Sequence, residues 1–486
     1  MDSLQKETGL ALMNLLSEQV ASLLCNGDSI ETMLPIFEQC LVDNSNEGRI
    51  MLSAVKALAA ILSCVAQPSD IDRFQVLLGP LLAGLQMLLQ WEDGEAAALS
   101  YAETMIEIAE DCVPFYENQL DVLFGSIYAC VTADSGVSTP LRHMFMELLV
   151  TLCSETTKKV RKLRGPGGEK GYFIQMLVPV CVSMMVSIPE DPHWSQSETA
   201  EENDAEDVMD CDVGETSLDR MCRDLGLTAT WAVVSAQFTD LLQSDVWQHC
   251  HAGLRCLGNY MEVSKNITNK KQLRQHVMDM ALLILPFMKH SHDRVRAASY
   301  YAFGQFITMH GRGQGLDASQ VDQTIPLLIE GLPTSVNLSP RVRRNALIAL
   351  SNTVDICPSS VVQKHAGTIL EAVAFALSEG PVIVQEMCVA VIIGLAETSE
   401  GAVLCDYYDS IIPVLKQLLA HSMANGLESL WGQGMECCAM VGEASGKEKF
   451  YPDALEMMNS LVAMGSELEE GSEARTYLMK AWVRIA

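Results

Sequence analysis

Residue types able to do chemistry are plentiful in this chain, but their spacing seldom suits it. His249 and His251 stand two residues apart, and residues at i and i+2 do not share a helix face. His290 and His292 flank a turn. Cys437 and Cys438 are adjacent and no Cys-x-x-Cys pair occurs, which suits neither a usual disulfide nor a zinc knuckle. Gly311–Gly315 is a glycine-rich turn between helices, without the preceding strand that a phosphate cradle needs. No Gly-x-Ser-x-Gly or His-Glu-x-x-His pattern appears. The expectation is a protein that is not an enzyme and carries no metal or cofactor.

One stretch does concentrate charge. Between Ile188 and Thr216 stand Glu190, Asp191, Glu198, Glu201, Glu202, Asp204, Glu206, Asp207, Asp210, Asp212 and Glu215, with no Lys or Arg among them. The alternating acids of a calcium loop are missing. Helical periodicity also vanishes, so residues 189–215 read as an acidic, disordered loop inside a repeat. Its acids, Glu201, Glu202, Asp204, Glu206, Asp207 and Asp210, would form an electrostatic arm toward basic ligands. Trp194, alone in this polar run, is expected to anchor it on the scaffold. Helices are expected on either side, over Phe173–Ser187 and Ser217–Leu225.

The rest of the chain has the same sign of charge. Sixty-two acidic residues against 32 basic ones leave a formal net charge of −30. Such a field repels nucleic acid and anionic membrane and draws basic partners. Lys158–Gly168 is a basic exception, read as a helix end running into a Gly/Pro loop. The cysteines are scattered through apolar stretches and read as reduced core residues of a cytosolic or nuclear protein. No basic-then-apolar leader and no apolar run of membrane-spanning length is seen.

The elements that must carry these residues are helical. With 486 residues and 49% hydrophobic content but only 6% aromatics, Leu, Ala, Val and Met dominate, a mix that favours helices. Helical periodicity recurs about every 40–47 residues, the range of HEAT repeats. The fold expected is all-α: a right-handed solenoid of about ten HEAT repeats, each an outer A helix and an inner B helix. A partial first repeat leads into repeats over 1–188, and more follow over 216–486. Most of the 17 prolines are assigned to turns. Two B helices start alike, Asp293-Arg294-Val295-Arg296 and Pro340-Arg341-Val342-Arg343. Asp293 suits a helix cap and Pro340 a first turn. The Val turns inward, and the Arg is expected in a ladder of ion pairs.

Several stretches carry a resemblance. Gly214-Glu215-Thr216-Ser217-Leu218-Asp219-Arg220-Met221 follows the acidic run. Trp247 precedes His251-Ala252-Gly253-Leu254, and the two Arg-Val-Arg starts come next. Glu436-Cys437, Gly442 and Gly446-Lys447-Glu448-Lys449-Phe450 close the series. In order and spacing, from about residue 100 and most clearly from 214, these resemble the importin-5 (karyopherin beta-3) branch of the importin-beta superfamily. Receptors of that family are roughly twice as long, so the resemblance implies a central segment, without the main Ran-GTP repeats. It further implies a nuclear import receptor that shuttles between cytoplasm and nucleus. Its partners would be basic, Lys-rich localisation signals, FG-nucleoporins and, in the intact receptor, Ran.

In that family such signals lie along the concave B-helix face. Polar residues on late turns of successive B helices are the candidates: Glu262 with Asn259, Gln305, Asn352 with Asp355, Glu397 and Glu436, with Glu386, Glu107 and Glu110 beside them. Met309 and Met387 depart from the family pattern, which often has an acid and a Gln there. A HEAT scaffold of a phosphatase or chromosome complex is the alternative; it would grip folded partners through edges and loops.

Overall fold

The structure, a computed structural model, describes residues 3–485 apart from 25–26, 44, 46–47, 66, 133–135, 166, 199–207, 265–278, 311–317, 333–338, 399–401 and 466–472. Among the described residues every regular element is an α- or 3-10 helix, and one isolated bridge, Arg164 to Lys170, is the only β pairing. The chain forms two compact units: residues 1–188 with 207–239, and residues 189–206 with 240–486.

In the first unit the B layer is Ser3–Leu24, Arg49–Cys64, Glu95–Asp111, Thr139–Glu155 and Asp210–Leu225, each packed on the next. The A layer includes Gly27–Cys40, Pro68–Phe74, Leu120–Val131 and Tyr172–Val186. In the second unit the B layer is Trp247–Ser264, Asp293–His310, Pro340–Ile356, Val382–Thr398, Glu428–Ser445 and Glu473–Ile485, again each on the next. Its A helices include Ala318–Ile329, Ser359–Glu379, Ala402–Ala424 and Lys447–Gly465. A single helix pair cannot bury its own apolar stripe, so each repeat leans on its neighbours. The B helices show the result. Ile50, Val55, Leu58 and Ile61 are fully buried, as are Met435, Cys437, Cys438 and Val441. Each such aliphatic side chain contributes about 1.5–3 kcal/mol on burial.

The sequence motifs are packing devices. A Cβ on Gly214 would stand 2.5 Å from the Cys181 carbonyl oxygen, so only glycine lets Asp210–Leu225 meet Tyr172–Val186 this closely. Arg220 of the same motif makes a forked pair with Glu147, at 2.6 and 2.8 Å. Later, Gly446 ends Glu428–Ser445 with φ +88°, a conformation that disfavours any side chain. The chain then turns so that the Phe450 ring fits against Gly442, where a Cβ would stand 2.4 Å away. Lys449 reaches Asp409 at 3.1 Å and lies over the Tyr408 ring.

One expectation needs correction and two gain detail. Five of the 17 prolines are exceptions to the turn assignment: Pro35, Pro179, Pro326, Pro413 and Pro452 lie inside A helices. Each removes one backbone donor, a loss that bends a helix and that a surface layer tolerates. The helix after the acidic run starts at Asp210, not Ser217. Acids favour a helix N-terminus through the dipole, and Asp212 there accepts from the Met209 amide at 3.3 Å. So a run of acids does not by itself exclude helix. Arg294 and Arg341 are buried and face the ring of Trp194, while Arg296 pairs with Asp293.

Candidate functional site

The candidates of the second unit fall into two rows once its B helices are aligned by their first residues. Counting Trp247, Asp293, Pro340, Val382 and Glu428 as one, the thirteenth residues are Asn259, Gln305, Asn352, Gly394 and Met440. The sixteenth are Glu262, Thr308, Asp355, Glu397 and Glu443. Residues three apart share a helix face. The strip therefore carries an amide row beside a row that is acidic in four of five repeats.

Contacts between neighbouring helices bind the rows together. The Tyr301 hydroxyl lies 3.1 Å from Asn259 Oδ1, and the Arg255 guanidinium covers the Tyr301 ring at 4.0 Å. Gly258 provides the room, since a Cβ there would stand 2.8 Å from that ring. Asn352 Nδ2 reaches toward the Gly304 carbonyl at 3.5 Å, beside Gln305. An equally close approach is between Asp355 and Gly394, whose added Cβ would lie 2.8 Å from the Asp355 carboxylate. Asp355 thus lies across the next helix, one turn before Glu397. Both carboxylates are exposed, whereas Glu262, Gln305 and Asn352 are half-buried.

Glu436 does not join this strip. It is the ninth residue of its helix and only 8% exposed, and Lys480 of the following B helix lies 3.5 Å from it. The residue in register is Glu443, which sequence reasoning passed over and which Arg484 holds at 2.8 Å. Counting residues from each helix start would have found it. Glu386 is half-buried; burial pushes its carboxyl up, and Arg344 opposes that. Glu107 and Glu110 are exposed on Glu95–Asp111 in the first unit.

Of the acidic arm, Glu201, Glu202, Asp204, Glu206 and Asp207 lie outside the described residues. Asp210 is not part of a loop. It opens its helix and is held by Arg142 at 2.5 Å and His143 at 2.8 Å. Burial raises the Asp210 pKa, but these two partners outweigh it and hold the carboxyl below its usual range. The histidines considered for chemistry are absorbed into packing. His249 meets the Ser244 hydroxyl at 2.9 Å, His290 accepts from the His292 amide at 3.0 Å, and His292 stacks on Trp247 at 3.9 Å. Cys437 and Cys438 are buried, and burial drives both thiols up, Cys438 to about 12. Among the described residues no three of His, Cys, Asp and Glu are grouped to hold a metal ion, and no helix is long and apolar enough to cross a membrane.

Residues 134–231 match a family described as "Importin repeat", and residues 3–125 one described as "IPO5-like, TPR repeats". Importin subunit beta-3 of Saccharomyces cerevisiae is 27% identical over 463 residues, covering 94% of this chain. The chain spans 40% of that relative's length. The crystal structure of Kap121p bound to Pho4p superimposes with a TM-score of 0.79 at 24% identity, over 99% of this chain and 45% of that one. Kap121p bound to Nup53p gives 0.76 at 24% identity, over 94% of this chain and 42% of that one. At such identity these structures establish the shared fold.

Proposed function

Since this chain is of the importin-beta superfamily, we propose that it is the part of a nuclear import receptor that holds basic, Lys-rich localisation signals on its B-helix layer. Asn352, Asp355 and Glu397 form the centre of the site, and Glu262 and Gln305 extend it. The observation that carries this reading is the Asp355–Gly394 approach, which sets two exposed carboxylates of consecutive helices on one strip. An extended basic peptide needs acceptors at regular intervals, and stacked B helices supply them once per repeat. Amides beside the carboxylates would hold the peptide backbone.

Ran-GTP-controlled release, contact with FG-nucleoporins and shuttling between cytoplasm and nucleus belong to the same proposal for the intact receptor. That Kap121p has been crystallised with Pho4p and with Nup53p supports it by analogy. The test is fluorescence anisotropy of a Lys-rich peptide with this chain at two salt concentrations. Saturable binding that weakens with salt, and weakens again in Asp355→Ala/Glu397→Ala, is expected. No binding by the folded wild type would refute the proposal.

A further inference from the structure

The described part of the acidic insertion is built into the second unit in a way the cargo reading does not use. Pro189–Ser197 lies against the beginnings of three consecutive B helices. Glu190 accepts a hydrogen bond from Trp247 Nε1 at 2.8 Å, and His292 Nε2 stands 3.5 Å from the same carboxylate. Trp247 and His292 stack with an interplanar angle of 7°. Four residues after Glu190, Trp194 is 1% exposed. Its ring lies 5.0 Å from the Arg294 guanidinium carbon and 5.2 Å from that of Arg341.

Both arginines are the second residues of their helices and only 3% exposed. Burying a guanidinium costs several kcal/mol unless a π face or a carboxylate meets it. Two such groups converging on one indole make a slot. A loop that merely solvates the surface would need none. The repeated Arg-Val-Arg then has a division of labour: Val295 and Val342 enter the core, fully buried, and the first Arg of each builds the slot.

We propose that the slot between Arg294 and Arg341 is a binding site for an indole on an acidic peptide, with Pro189–Ser197 as its resident ligand. The sequence after Trp194 has the matching charge, with Glu198, Glu201, Glu202, Asp204, Glu206 and Asp207 and no base between them. The slot itself supplies the guanidinium groups of Arg294 and Arg341. A free peptide of the same chemistry takes the site only by displacing the resident one. A tethered ligand acts at an effective concentration of about 1 mM. Against it, a peptide with a Kd of about 100 μM for the open slot binds roughly tenfold more weakly.

The experiment uses the full chain and a labelled synthetic peptide copying residues 189–204. Trp194→Ala should bind the peptide about tenfold more tightly than the wild type does. Adding Arg294→Met/Arg341→Met to that variant should abolish the gain. Equal binding to wild type and Trp194→Ala, no binding to folded Trp194→Ala, or a gain that survives the arginine changes would each overturn the proposal. Should Trp194→Ala not fold, the arginine pair is changed alone in 5-fluorotryptophan-labelled protein. The ¹⁹F resonance of Trp194, assigned with Trp194→Phe, should then move; an unmoved resonance would overturn the proposal.

Discussion

Two neighbouring B helices carry a carboxylate in the same register and present it in opposite ways. Glu397 on Val382–Thr398 is exposed, with Asp355 of the preceding helix laid across Gly394 toward it. Glu443 on Glu428–Ser445 is held by Arg484, and Glu436 on the same helix by Lys480. Position along a helix decides which face a side chain joins. The next helix decides what that side chain meets. Where the neighbour offers glycine, the carboxylates gather; where it offers Lys480 and Arg484, they are neutralised. The acidic strip therefore changes character between Glu397 and Glu443.

The sharpest way to break this contrast is to delete each half of it. Asp355→Ala/Glu397→Ala should weaken binding of a Lys-rich peptide about thirtyfold at low salt, at about 1 kcal/mol per exposed carboxylate. Glu436→Ala/Glu443→Ala should change it less than about threefold, because a Lys and an Arg already neutralise those acids. Isothermal titration of the two variants side by side decides it.

The converse experiment releases the claimed acids. Lys480→Met/Arg484→Met should raise affinity for the same peptide by about three- to fivefold, one more exposed carboxylate's worth. It should also lower the melting temperature by a few degrees, because Glu436 loses its partner while buried. Calorimetry with and without peptide separates the two effects.

Gly394→Ala tests the shelf itself. Its methyl group would press on the Asp355 carboxylate, which must swing aside. Peptide affinity should fall about two- to fivefold, less than the loss of one carboxylate, while thermal stability changes little. An unchanged affinity would show that Asp355 does not need that placement.

The smallest effect concerns the acids that hold the fold. Asp210 and Asp453 are both held below the usual carboxylate range. Burial raises each, and Arg142 with His143, or Lys416 with Tyr408, outweighs it. A carboxyl depressed in the folded state lends stability that is full above its unfolded pKa, about 4, and is lost as pH falls through the folded value. Asp210→Asn should therefore flatten the pH dependence of stability below about pH 4, read by urea unfolding at each pH.

Much of the fold could be read from the sequence because helix pairing leaves a strong periodic trace. The helix expected over Phe173–Ser187 stands at Tyr172–Val186, and the two Arg-Val-Arg helices start at Asp293 and Pro340 as read. Asp210 was misplaced because composition reports solvation, whereas a helix N-terminus rewards the same acids. Glu436 was misplaced because motif matching gave its neighbourhood and not its register. Glu443 went unnoticed for the same reason, although it is the sixteenth residue of its helix. The role of Arg294 and Arg341 had no local signal at all. Their partner Trp194 lies 100 residues before one and 147 before the other, as their numbers give by subtraction, and only tertiary packing brings them together.

The central claim is that a basic peptide lies on Pro340–Ile356 and Val382–Thr398. Photo-cross-linking of a Lys-rich peptide to the full chain, read by mass spectrometry, tests it most directly. The account predicts cross-links within 345–359 and 387–398, lost on competition with unlabelled peptide. Cross-links confined to the acidic residues 198–207 or to A helices would contradict it.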